Sequence, residues 1–440
     1  MVDLKKEIEL FSSQVVANWK DKEFIPGKSL VHFSGPSFDE NEAKAMLEVI
    51  SNGWWIAGEK TREFEGKFAP LLGKKYGVFV NSGTSAVMLA AYAVKVINKY
   101  KKLNVVTCAS CFPSTINPWI QFDNNIGMVD CTLDGNYNIN LEFVEGLIER
   151  EEDIDVLTFA HVLGNPPNMD KVMEIVKKYN LTLVEDVCDG LGSKWKGKLL
   201  GSFGRFSTCS FFPAHMMTTF EGGFVACDTE EDYKLLKSLS NWGRQCDCSG
   251  KEQSTSKFGK CGRRFSDWLG IGKNVDHRYV FSNLGMNLKS TEIQAAVGLE
   301  QIKKLDKFAE IRKYNYNRLT ECFSNYKDHF ELPQSLPDAD VNWFTYPIRV
   351  ISKSFERDEF IKYLESNMIQ TRLLFTGNYV RHPAIQNWHR ELTGETFESK
   401  LKNADIVLSE VMMLGVSQVI TKDMMDYVCT TIDKFMEQYK

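Results

Sequence analysis

The chain has 440 residues, of which 43% are hydrophobic and 25% are charged, so it is long enough for two or three globular domains with a large core. Its formal net charge of −5 excludes the broad basic surface that general nucleic-acid binding requires. No apolar run approaches the roughly 20 residues of a transmembrane helix and the first residues have no signal-peptide core, so we expect a cytoplasmic protein without a membrane partner.

Short apolar segments alternate with helical patterns over the first two-thirds of the chain, which is typical of an α/β fold. After an amphipathic N-terminal helix, the apolar segment Tyr76–Val80 leads through a small-residue turn into a helix. Further strands are predicted from Asn104, Val156 and Leu181, with a helix near residues 170–178. This order is that of βαβ units, and it predicts a mostly parallel mixed sheet flanked by helices.

The pattern changes after Glu292. One long helix is predicted over residues 291–323, followed by a smaller α+β part that contains the segments WFTYPIRV and DEFIKYLESNM. We therefore predict an N-terminal segment and a large domain over residues 1–300, and a small C-terminal domain over residues 301–440. The polar loop from Cys246 to Cys261 is an insertion in the large domain.

A small-residue turn, NSGTSA at Asn81 to Ala86, separates the first predicted strand from its helix. Glycine lets the backbone approach a ligand closely, and free amides and hydroxyls at a helix N-terminus attract an anion. The turn therefore predicts a site for one phosphate, although the same residues also suit a plain strand-to-helix turn.

Asp186 ends the apolar run of LVEDVCDG, at the carboxyl end of a predicted buried strand. Ligands bind at that edge of α/β sheets, and a buried carboxylate requires a charged partner. One interpretation is a turn or helix-capping carboxylate. The other is a carboxylate that holds a protonated pyridine nitrogen.

Taken in order, these segments resemble the sugar aminotransferase family of vitamin B6 enzymes, and the resemblance covers almost the whole chain. It implies fold type I, with a large cofactor-binding domain and a smaller C-terminal α+β domain. The residues that would contact the cofactor by this resemblance are Gly83, Thr84, Ser85, Phe112, Asp186, Ser210 and Asn287.

Each of these residues has an implied role. Gly83, Thr84, Ser85 and Ser210 would surround the phosphate, and Asp186 would pair with the pyridinium. The ring of Phe112, in CASCFPST, would stack on the cofactor. Asn287, in LGMNLKSTEIQ, resembles the residue that reaches the phosphate from a neighbouring subunit, which implies a homodimer.

His215, in SFFPAHMM, occupies the position where that family has a lysine bonded covalently to the cofactor. Histidine has no primary amine for this bond, but an imidazole with an ordinary pKa of about 6.5 can move a proton at neutral pH. The resemblance therefore implies that the cofactor stays as pyridoxamine phosphate and that His215 is the catalytic base of a dehydration. The alternative is a pseudoenzyme that has lost its lysine.

This substitution narrows the resemblance to the 3-dehydrases of nucleotide-linked 4-keto-6-deoxyhexoses. One kind recycles its cofactor with glutamate, and the other carries a 2Fe–2S cluster and takes electrons from a reductase. Cys188, Cys246, Cys248 and Cys261 are separated by 57, 1 and 12 residues. The first two intervals match the iron–sulfur kind. The third is longer than usual in that family, but a polar loop can lengthen at little entropic cost.

Four thiolates suit a two-iron cluster and equally suit tetrahedral zinc, so only the resemblance selects iron. The remaining alternative is four unrelated thiols, since the 11 cysteines of a cytoplasmic chain are expected to be reduced. A cluster implies a partner, an NADH-dependent flavin or iron–sulfur reductase, because we find no flavin or nicotinamide motif in the sequence.

The segment TRLLFTGNYVRHP resembles the dehydrase segment that borders the substrate. It implies substrate contacts from Arg372, Asn378 and Arg381. The two guanidinium groups could pair with a nucleotide diphosphate, and surface salt bridges are the alternative for each.

The predicted function is the removal of the 3-hydroxyl from a nucleotide-linked 4-keto-6-deoxyhexose, in the biosynthesis of 3,6-dideoxyhexoses for lipopolysaccharide O-antigens. The reaction would depend on pyridoxamine phosphate and a 2Fe–2S cluster, and the resemblance favours a CDP-linked sugar. Two alternatives remain. One is a glutamate-recycled 3-dehydratase without a cluster, and the other is a non-catalytic sugar-nucleotide binding protein.

Overall fold

The computed structural model describes residues 3–19, 23–150, 153–246 and 263–439. The described α-helices are α1 (Leu4–Trp19), α2 (Glu40–Asn52), α3 (Glu59–Phe68), α4 (Gly83–Ile97), α5 (Pro113–Gln121), α6 (Leu141–Ile148), α7 (Met169–Lys178), α8 (Glu230–Leu239), α9 (Glu292–Ile302), α10 (Leu305–Phe323), α11 (Arg357–Ser366), α12 (Pro383–Thr393), α13 (Lys402–Glu410) and α14 (Lys422–Met436). The described strands are β1 (Tyr76–Val80), β2 (Asn104–Cys108), β3 (Asn125–Val129), β4 (Val156–Ala160), β5 (Thr182–Asp186), β6 (Lys194–Trp195), β7 (Lys198–Leu199), β8 (Phe206–Ser210), β9 (Gly223–Cys227), β10 (Phe265–Ser266), β11 (Val275–Asp276), β12 (Phe330–Glu331), β13 (Ala339–Asp340), β14 (Thr345–Val350), β15 (Thr371–Leu373) and β16 (Val411–Gly415).

A seven-stranded sheet in the order β1-β9-β8-β5-β4-β2-β3 forms the centre of the fold. All its pairs are parallel except the two that involve β9. Every residue of β8 and β9 is buried, as expected of strands covered on both faces. The predicted mostly parallel mixed sheet flanked by helices is therefore confirmed.

A second sheet, in the order β12-β14-β16-β15, is antiparallel and belongs to the C-terminal part of the chain. Its strands share a core cluster with α10, α11 and α14, which includes Phe323, Tyr346, Phe360 and Phe435. The largest core cluster contains residues from both sides of position 300, among them Phe211 and Trp343. The domain boundary near residue 300 therefore stays a prediction.

The prediction of one long helix over residues 291–323 is wrong. The structure has two helices, α9 and α10, which are separated at Lys303 and Lys304. Lys304 is the N-cap of α10, with φ −104° and ψ −4°, and its side-chain nitrogen lies 2.6 Å from Glu42 and 2.8 Å from Asp39. This ion-pair cluster joins the interhelical corner to α2, which helical periodicity alone does not reveal.

The carboxyl ends of β4, β5 and β8 lie side by side because these strands are parallel neighbours. The residues that follow them come together at one edge of the sheet, where open α/β sheets bind ligands. In the part of the chain that the structure describes, no helix is long and apolar enough to cross a membrane.

Candidate active site

The predicted phosphate turn forms the N-terminus of α4. Ser82 is the N-cap, and its hydroxyl accepts a hydrogen bond from the Ser85 amide at 3.1 Å. Gly83 and Thr84 occupy the first turn, where amides have no intrahelical acceptor. This arrangement suits an anion because the helix dipole and the free amides point to the same place.

Gly83 packs directly against Ser210 at the end of β8. A Cβ atom added at Gly83 would lie 2.5 Å from Ser210 Cβ, a contact that no side chain tolerates. The helix N-terminus and the β8 end can approach only because position 83 is glycine. Ser210 itself is buried, and its hydroxyl accepts a hydrogen bond from the Phe212 amide at 3.3 Å.

Asp186 is the last residue of β5, and its carboxylate is 4% exposed. The Thr115 hydroxyl donates to Oδ2 at 2.8 Å, and the Cys188 amide donates to Oδ1 at 3.1 Å. Both donors are neutral, so neither is the charged partner that the sequence predicts for Asp186. Each oxygen retains accepting capacity, so the carboxylate can still bind a protonated ring nitrogen.

A buried contact between a histidine and a glutamate lies next to Asp186. His161 Nε2 lies 3.0 Å from Glu185 Oε2 with both side chains fully buried, and the His161 amide donates to the Asp186 carbonyl. Burial raises the pKa of Glu185, but His161 and the amides of Gly204 and Gly201 outweigh it and hold that pKa below its usual value. The pair thus anchors the strand end on which Asp186 lies.

Phe112 is the N-cap residue of α5, three residues before Thr115, and its ring is 57% exposed. Its ring centroid lies 6.2 Å from that of Phe375 in an edge-on contact. The Thr376 hydroxyl donates to the Cys111 carbonyl at 2.8 Å, which attaches the C-terminal segment to this loop. Phe112 therefore has an accessible ring beside the Asp186 strand end.

His215 Nδ1 lies 3.4 Å from Asp189 Oδ1, and these side chains are 16% and 8% exposed. Burial raises the pKa of Asp189, and contact with His215 opposes that rise. The imidazole centroid also lies 5.2 Å from the ring of Phe344. His215 therefore lies between a carboxylate and a ring, although Nδ1 forms no hydrogen bond, and Asp189 follows the same strand end as Asp186.

Arg312, on α10, supports His215 from the other side. Its guanidinium donates to the His215 carbonyl at 3.1 Å and to the Phe344 carbonyl at 2.9 Å. The side chain is almost fully buried, and this burial lowers its pKa to about 9, with Asp189 acting in the opposite direction. Arg312 links the histidine turn to Phe344, the residue that precedes β14.

Two of the four predicted metal ligands, Cys248 and Cys261, lie outside the described residues. Cys188 is partly buried, and burial together with the neighbouring Asp186 raises the pKa of its thiol well above the usual value. Within the described ranges, no group of three or more His, Cys, Asp or Glu residues could hold a metal ion. The predicted cluster is therefore not supported by the described residues.

Cys246 lies beside a cavity that Cys188 does not line. Its sulfur is 2.8 Å from His277 Nδ1, and both residues line a cavity of about 580 Å³. The cavity is also lined by Trp54, Arg62 and Arg244, and none of the residues predicted to contact pyridoxamine phosphate lines it.

Asn287 is exposed, and its side-chain oxygen accepts a hydrogen bond from Lys289 Nζ at 2.6 Å. Its backbone forms a bridge with Asn241, in the loop after α8. A contact from Asn287 to the phosphate of a neighbouring subunit stays a prediction.

The three predicted substrate residues differ in their surroundings. Arg372 is exposed and donates to the Thr371 carbonyl at 2.7 Å. Asn378 is fully buried and donates to Asp405 at 2.7 Å, and Arg381 forms two hydrogen bonds with the same carboxylate. Asp405 therefore binds the side-chain donors of both Asn378 and Arg381. All three substrate contacts stay predictions.

Sequence reasoning did not single out Ser82, Thr115, Asp189 or Arg312. The serine before GTSA is an ordinary N-cap signal, so Ser82 could have been found. Thr115 and Asp189 lie within the quoted motifs, but their contacts cross between elements. Arg312 has no local signal.

Comparisons with known proteins agree with this geometry. A sequence profile of the DegT/DnrJ/EryC1/StrS aminotransferase family matches residues 36–433. The chain is 35% identical over 435 residues to the lipopolysaccharide biosynthesis protein RfbH of Salmonella typhimurium, covering 96% of this chain and 97% of that protein. It is 36% identical over 424 residues to the dTDP-4-dehydro-2,6-dideoxy-D-glucose 3-dehydratase of Saccharopolyspora spinosa, covering 94% and 88%.

A solved structure shows the same fold. The Escherichia coli GDP-4-keto-6-deoxy-D-mannose-3-dehydratase with bound hydrated PLP superposes with a TM-score of 0.79 at 24% identity, covering 92% of this chain and 99% of that one. From the profile match and the two relatives, the chain belongs to the DegT/DnrJ/EryC1/StrS aminotransferase family.

Proposed function

We propose that this protein is a pyridoxamine-phosphate-dependent 3-dehydrase of a nucleotide-linked 4-keto-6-deoxyhexose. The observation that carries the proposal is His215, an imidazole held beside Asp189 at the sheet edge where the family has its lysine. The 36% identical relative named as a 3-dehydratase supports the reaction class.

The described residues fit the cofactor. Asp186 offers a buried carboxylate for the ring nitrogen, and the N-terminus of α4 beside Ser210 offers free amides for the phosphate. Phe112 has an exposed ring next to the same strand end. When bound, pyridoxamine phosphate would supply an amine for the sugar ketone and a conjugated ring that accepts electrons.

His215 and Asp189 would perform the proton transfer. Because Nδ1 faces Asp189, Nε2 is the nitrogen left to take the proton whose removal lets the 3-hydroxyl depart. The Asp189 carboxylate orients the ring and stabilises the imidazolium that forms. Arg312 holds the His215 backbone in place.

We extend the proposal to a 2Fe–2S cluster on Cys188, Cys246, Cys248 and Cys261, fed by an NADH-dependent flavin or iron–sulfur reductase. Its support is the order and spacing of these cysteines. The described residues fit only partly, because two of the four cysteines lie outside them and those described form no group of three or more possible metal ligands. For that reason the glutamate-recycled 3-dehydratase without a cluster is the second candidate.

We also propose a homodimer. Trp55 and Ile56 are 56% and 64% exposed, and Leu284 is 74% exposed. Backbone contacts to Thr291 and Glu292 place Trp55 and Ile56 at the start of α9. Trp55→Glu should shift sedimentation towards the monomer if this surface is the subunit interface.

One preparation tests the function. The protein, purified without oxygen, is assayed for iron and sulfide and then incubated with CDP-, dTDP- and GDP-linked 4-keto-6-deoxyhexoses. Two irons and two sulfides per chain, with turnover on the CDP sugar that requires a reductase and NADH, is the expected result. Iron-free protein that turns over with glutamate selects the second candidate. Failure to dehydrate any of the three sugars in either condition contradicts the dehydrase proposal.

A further inference from the structure

The hairpin of β10 and β11 carries several large apolar side chains on its surface. The two strands pair in antiparallel register, and residues 267–274 form the loop between them. Phe265 is 55% exposed, Leu269 is 54% exposed and Ile271 is 59% exposed. Single exposed apolar residues are normal on a protein surface, but three in one short hairpin form a patch, and such patches are typical of interaction sites.

The loop of this hairpin is closed by its own hydrogen bonds. The Asp267 carboxylate accepts from the Ile271 and Gly272 amides, each at 2.8 Å. The Trp268 indole nitrogen donates to the Arg263 carbonyl at 2.7 Å. The exposed apolar residues are therefore presented by an ordered loop, and a partner that binds them has little ordering cost to overcome.

The same stretch is basic, although the whole chain is acidic. Residues 263–278 contain three arginines and one lysine against two aspartates, whereas the chain has a net charge of −5. The Asp276 carboxylate lies 3.1 Å from a nitrogen of Arg264 and 2.5 Å from one of Arg278. One of the two acidic groups is therefore already paired within the hairpin region.

Arg263 and Lys273 supply positive charge beside the apolar patch. Both are exposed, and no carboxylate among the described residues forms a salt bridge with either. The Arg263 guanidinium carbon lies 4.8 Å from the centroid of the Trp268 ring, which holds this charge against the loop. Apolar side chains next to two cations are complementary to an acidic protein surface. A second copy of this chain fits less well, because a two-fold contact would place these cations against each other.

Trp268 connects the hairpin with Cys246. Its ring stacks on the imidazole of His277, with centroids 6.0 Å apart and an angle of 30° between the planes. His277 is buried, and its Nδ1 lies 2.8 Å from the Cys246 sulfur. A protein bound at the hairpin would therefore be separated from this sulfur by the side chains of Trp268 and His277.

We propose that this hairpin is the docking surface for an acidic iron–sulfur electron-transfer protein. The inference rests on the proposed function, which requires an electron donor and assigns Cys246 to electron delivery. It adds the place of the contact and its charge. Contacts between electron-transfer proteins are small and depend on charge, so one hairpin is a sufficient surface. The residues that form the surface are Arg263, Phe265, Leu269, Ile271 and Lys273.

The test measures binding of a purified acidic 2Fe–2S ferredoxin by calorimetry. The full-length protein is prepared without oxygen and titrated at about 20 mM and about 300 mM salt. Arg263→Glu and Lys273→Glu reverse the charge, and Ile271→Ser removes an apolar side chain. Lys327→Glu is the matched control for charge because Lys327 is exposed, and Leu392→Ser is the control for apolar area because Leu392 is 67% exposed.

We expect each of the three hairpin variants to weaken ferredoxin binding about fivefold or more at the lower salt concentration, and both controls to stay within about twofold. The higher salt concentration should weaken binding to the unaltered protein, since exposed charges are screened. Formation of the 3-deoxy sugar with NADH and a reductase should fall in the same three variants. Labelled-oxygen exchange at the 3-hydroxyl should not change, because the hairpin residues have no contact with His215.

The results that contradict the docking surface differ in what they imply for the proposed function. If the folded hairpin variants bind ferredoxin as tightly as the controls do, the surface is wrong and the proposed function stands. The same holds if the unaltered protein forms the 3-deoxy sugar with a reductase but binds no ferredoxin.

Two further results count against the surface. If the hairpin variants shift sedimentation towards the monomer and leave ferredoxin binding unchanged, the hairpin is a contact between copies of this chain. If the unaltered protein contains no iron and dehydrates with glutamate, the docking surface and the reductive part of the proposed function fail together. Circular dichroism establishes that each variant is folded.

Discussion

His215 Nδ1 lies 3.4 Å from Asp189 Oδ1, and the two residues belong to separate segments of the chain. Asp189 follows β5 and His215 follows β8, and these strands are parallel neighbours. The sheet therefore brings a base and a carboxylate together at its ligand-binding edge. Nδ1 faces the carboxylate at ion-pair distance without a hydrogen bond, and Nε2 takes no part in this contact.

Asp189→Asn should lower dehydration by about tenfold or more, because the amide cannot balance the charge of an imidazolium. It should also change the pH dependence of stability. Burial raises the pKa of Asp189, so the folded state binds this proton more tightly than the unfolded chain does. The contribution of Asp189 to the free energy of unfolding therefore falls as pH rises through its raised pKa.

That sign predicts that the stability of Asp189→Asn, relative to the unaltered protein, improves as pH rises from about 4 to 8. Urea unfolding at several pH values measures the difference. Asp328→Asn is the control, since Asp328 is exposed. A constant difference across this pH range would mean that the Asp189 proton is bound equally well in both states.

His215→Lys should place a primary amine where the family has one. After addition of pyridoxal phosphate, we expect a new visible absorption band from a covalent bond with the lysine, together with transamination activity and reduced dehydration. His215→Asn, which has neither a base nor an amine, should give no such band. If His215→Lys dehydrates as fast as the unaltered protein, His215 is not the base.

Asp186→Asn should weaken the binding of pyridoxamine phosphate by about 1.5–3 kcal/mol, the range for a hydrogen bond to a charged group. Activity should fall with it, because a neutral amide does not keep the ring nitrogen protonated. Thr115→Val removes only the hydroxyl that donates to Asp186, so its effect should be about 1 kcal/mol. Calorimetry measures the affinity of both variants for pyridoxamine phosphate, and the loss should be larger in Asp186→Asn. Normal cofactor content and turnover in Asp186→Asn would remove this residue from the site.

Arg312→Lys should destabilise the protein by about 1.5–3 kcal/mol, because the shorter donor cannot reach both carbonyl groups. The two carbonyls belong to His215 and Phe344, so dehydration should fall as well. Arg318→Lys, on the same helix, alters a more exposed ion pair with Asp426 and should cost below about 1 kcal/mol. Urea unfolding of both variants provides the comparison, and equal effects would contradict a supporting role for Arg312.

The central sheet was predictable because buried parallel strands are continuous apolar runs, and β1, β2, β4 and β5 begin within one residue of the predicted starts. Gly83 and Asp186 were singled out because they lie in the turn after β1 and at the end of β5, and Ser210 came from the family resemblance; their contacts with the cofactor stay predictions. Asp189 and Arg312 were not, since their importance lies in contacts between separate elements. The helix break at Lys304 depends likewise on distant carboxylates, those of Asp39 and Glu42.

The cysteines allow elimination to be separated from reduction. In the proposed function, His215 would move the proton whose removal lets the hydroxyl depart, and the cysteines would serve only the delivery of electrons. Cys246→Ser and Cys248→Ser should therefore lose iron but still exchange the 3-hydroxyl of the sugar with solvent water. Formation of the 3-deoxy sugar with a reductase and NADH should disappear. Labelled-oxygen exchange measures the first step, and NADH-dependent product measures the second.

Cys227→Ser is the matched control, because Cys227 lies on β9 and its sulfur contacts the Thr229 carbonyl at 3.8 Å. It should retain both steps if it folds, which circular dichroism establishes. His215→Asn should give the opposite result to the cysteine variants, with iron retained and oxygen exchange lost. The two sets of variants then separate the proton-transfer residue from the electron-transfer residues within one chain. A Cys246→Ser variant with full reductive turnover would show that electrons do not pass through this cysteine, and the cluster assignment would have to be abandoned.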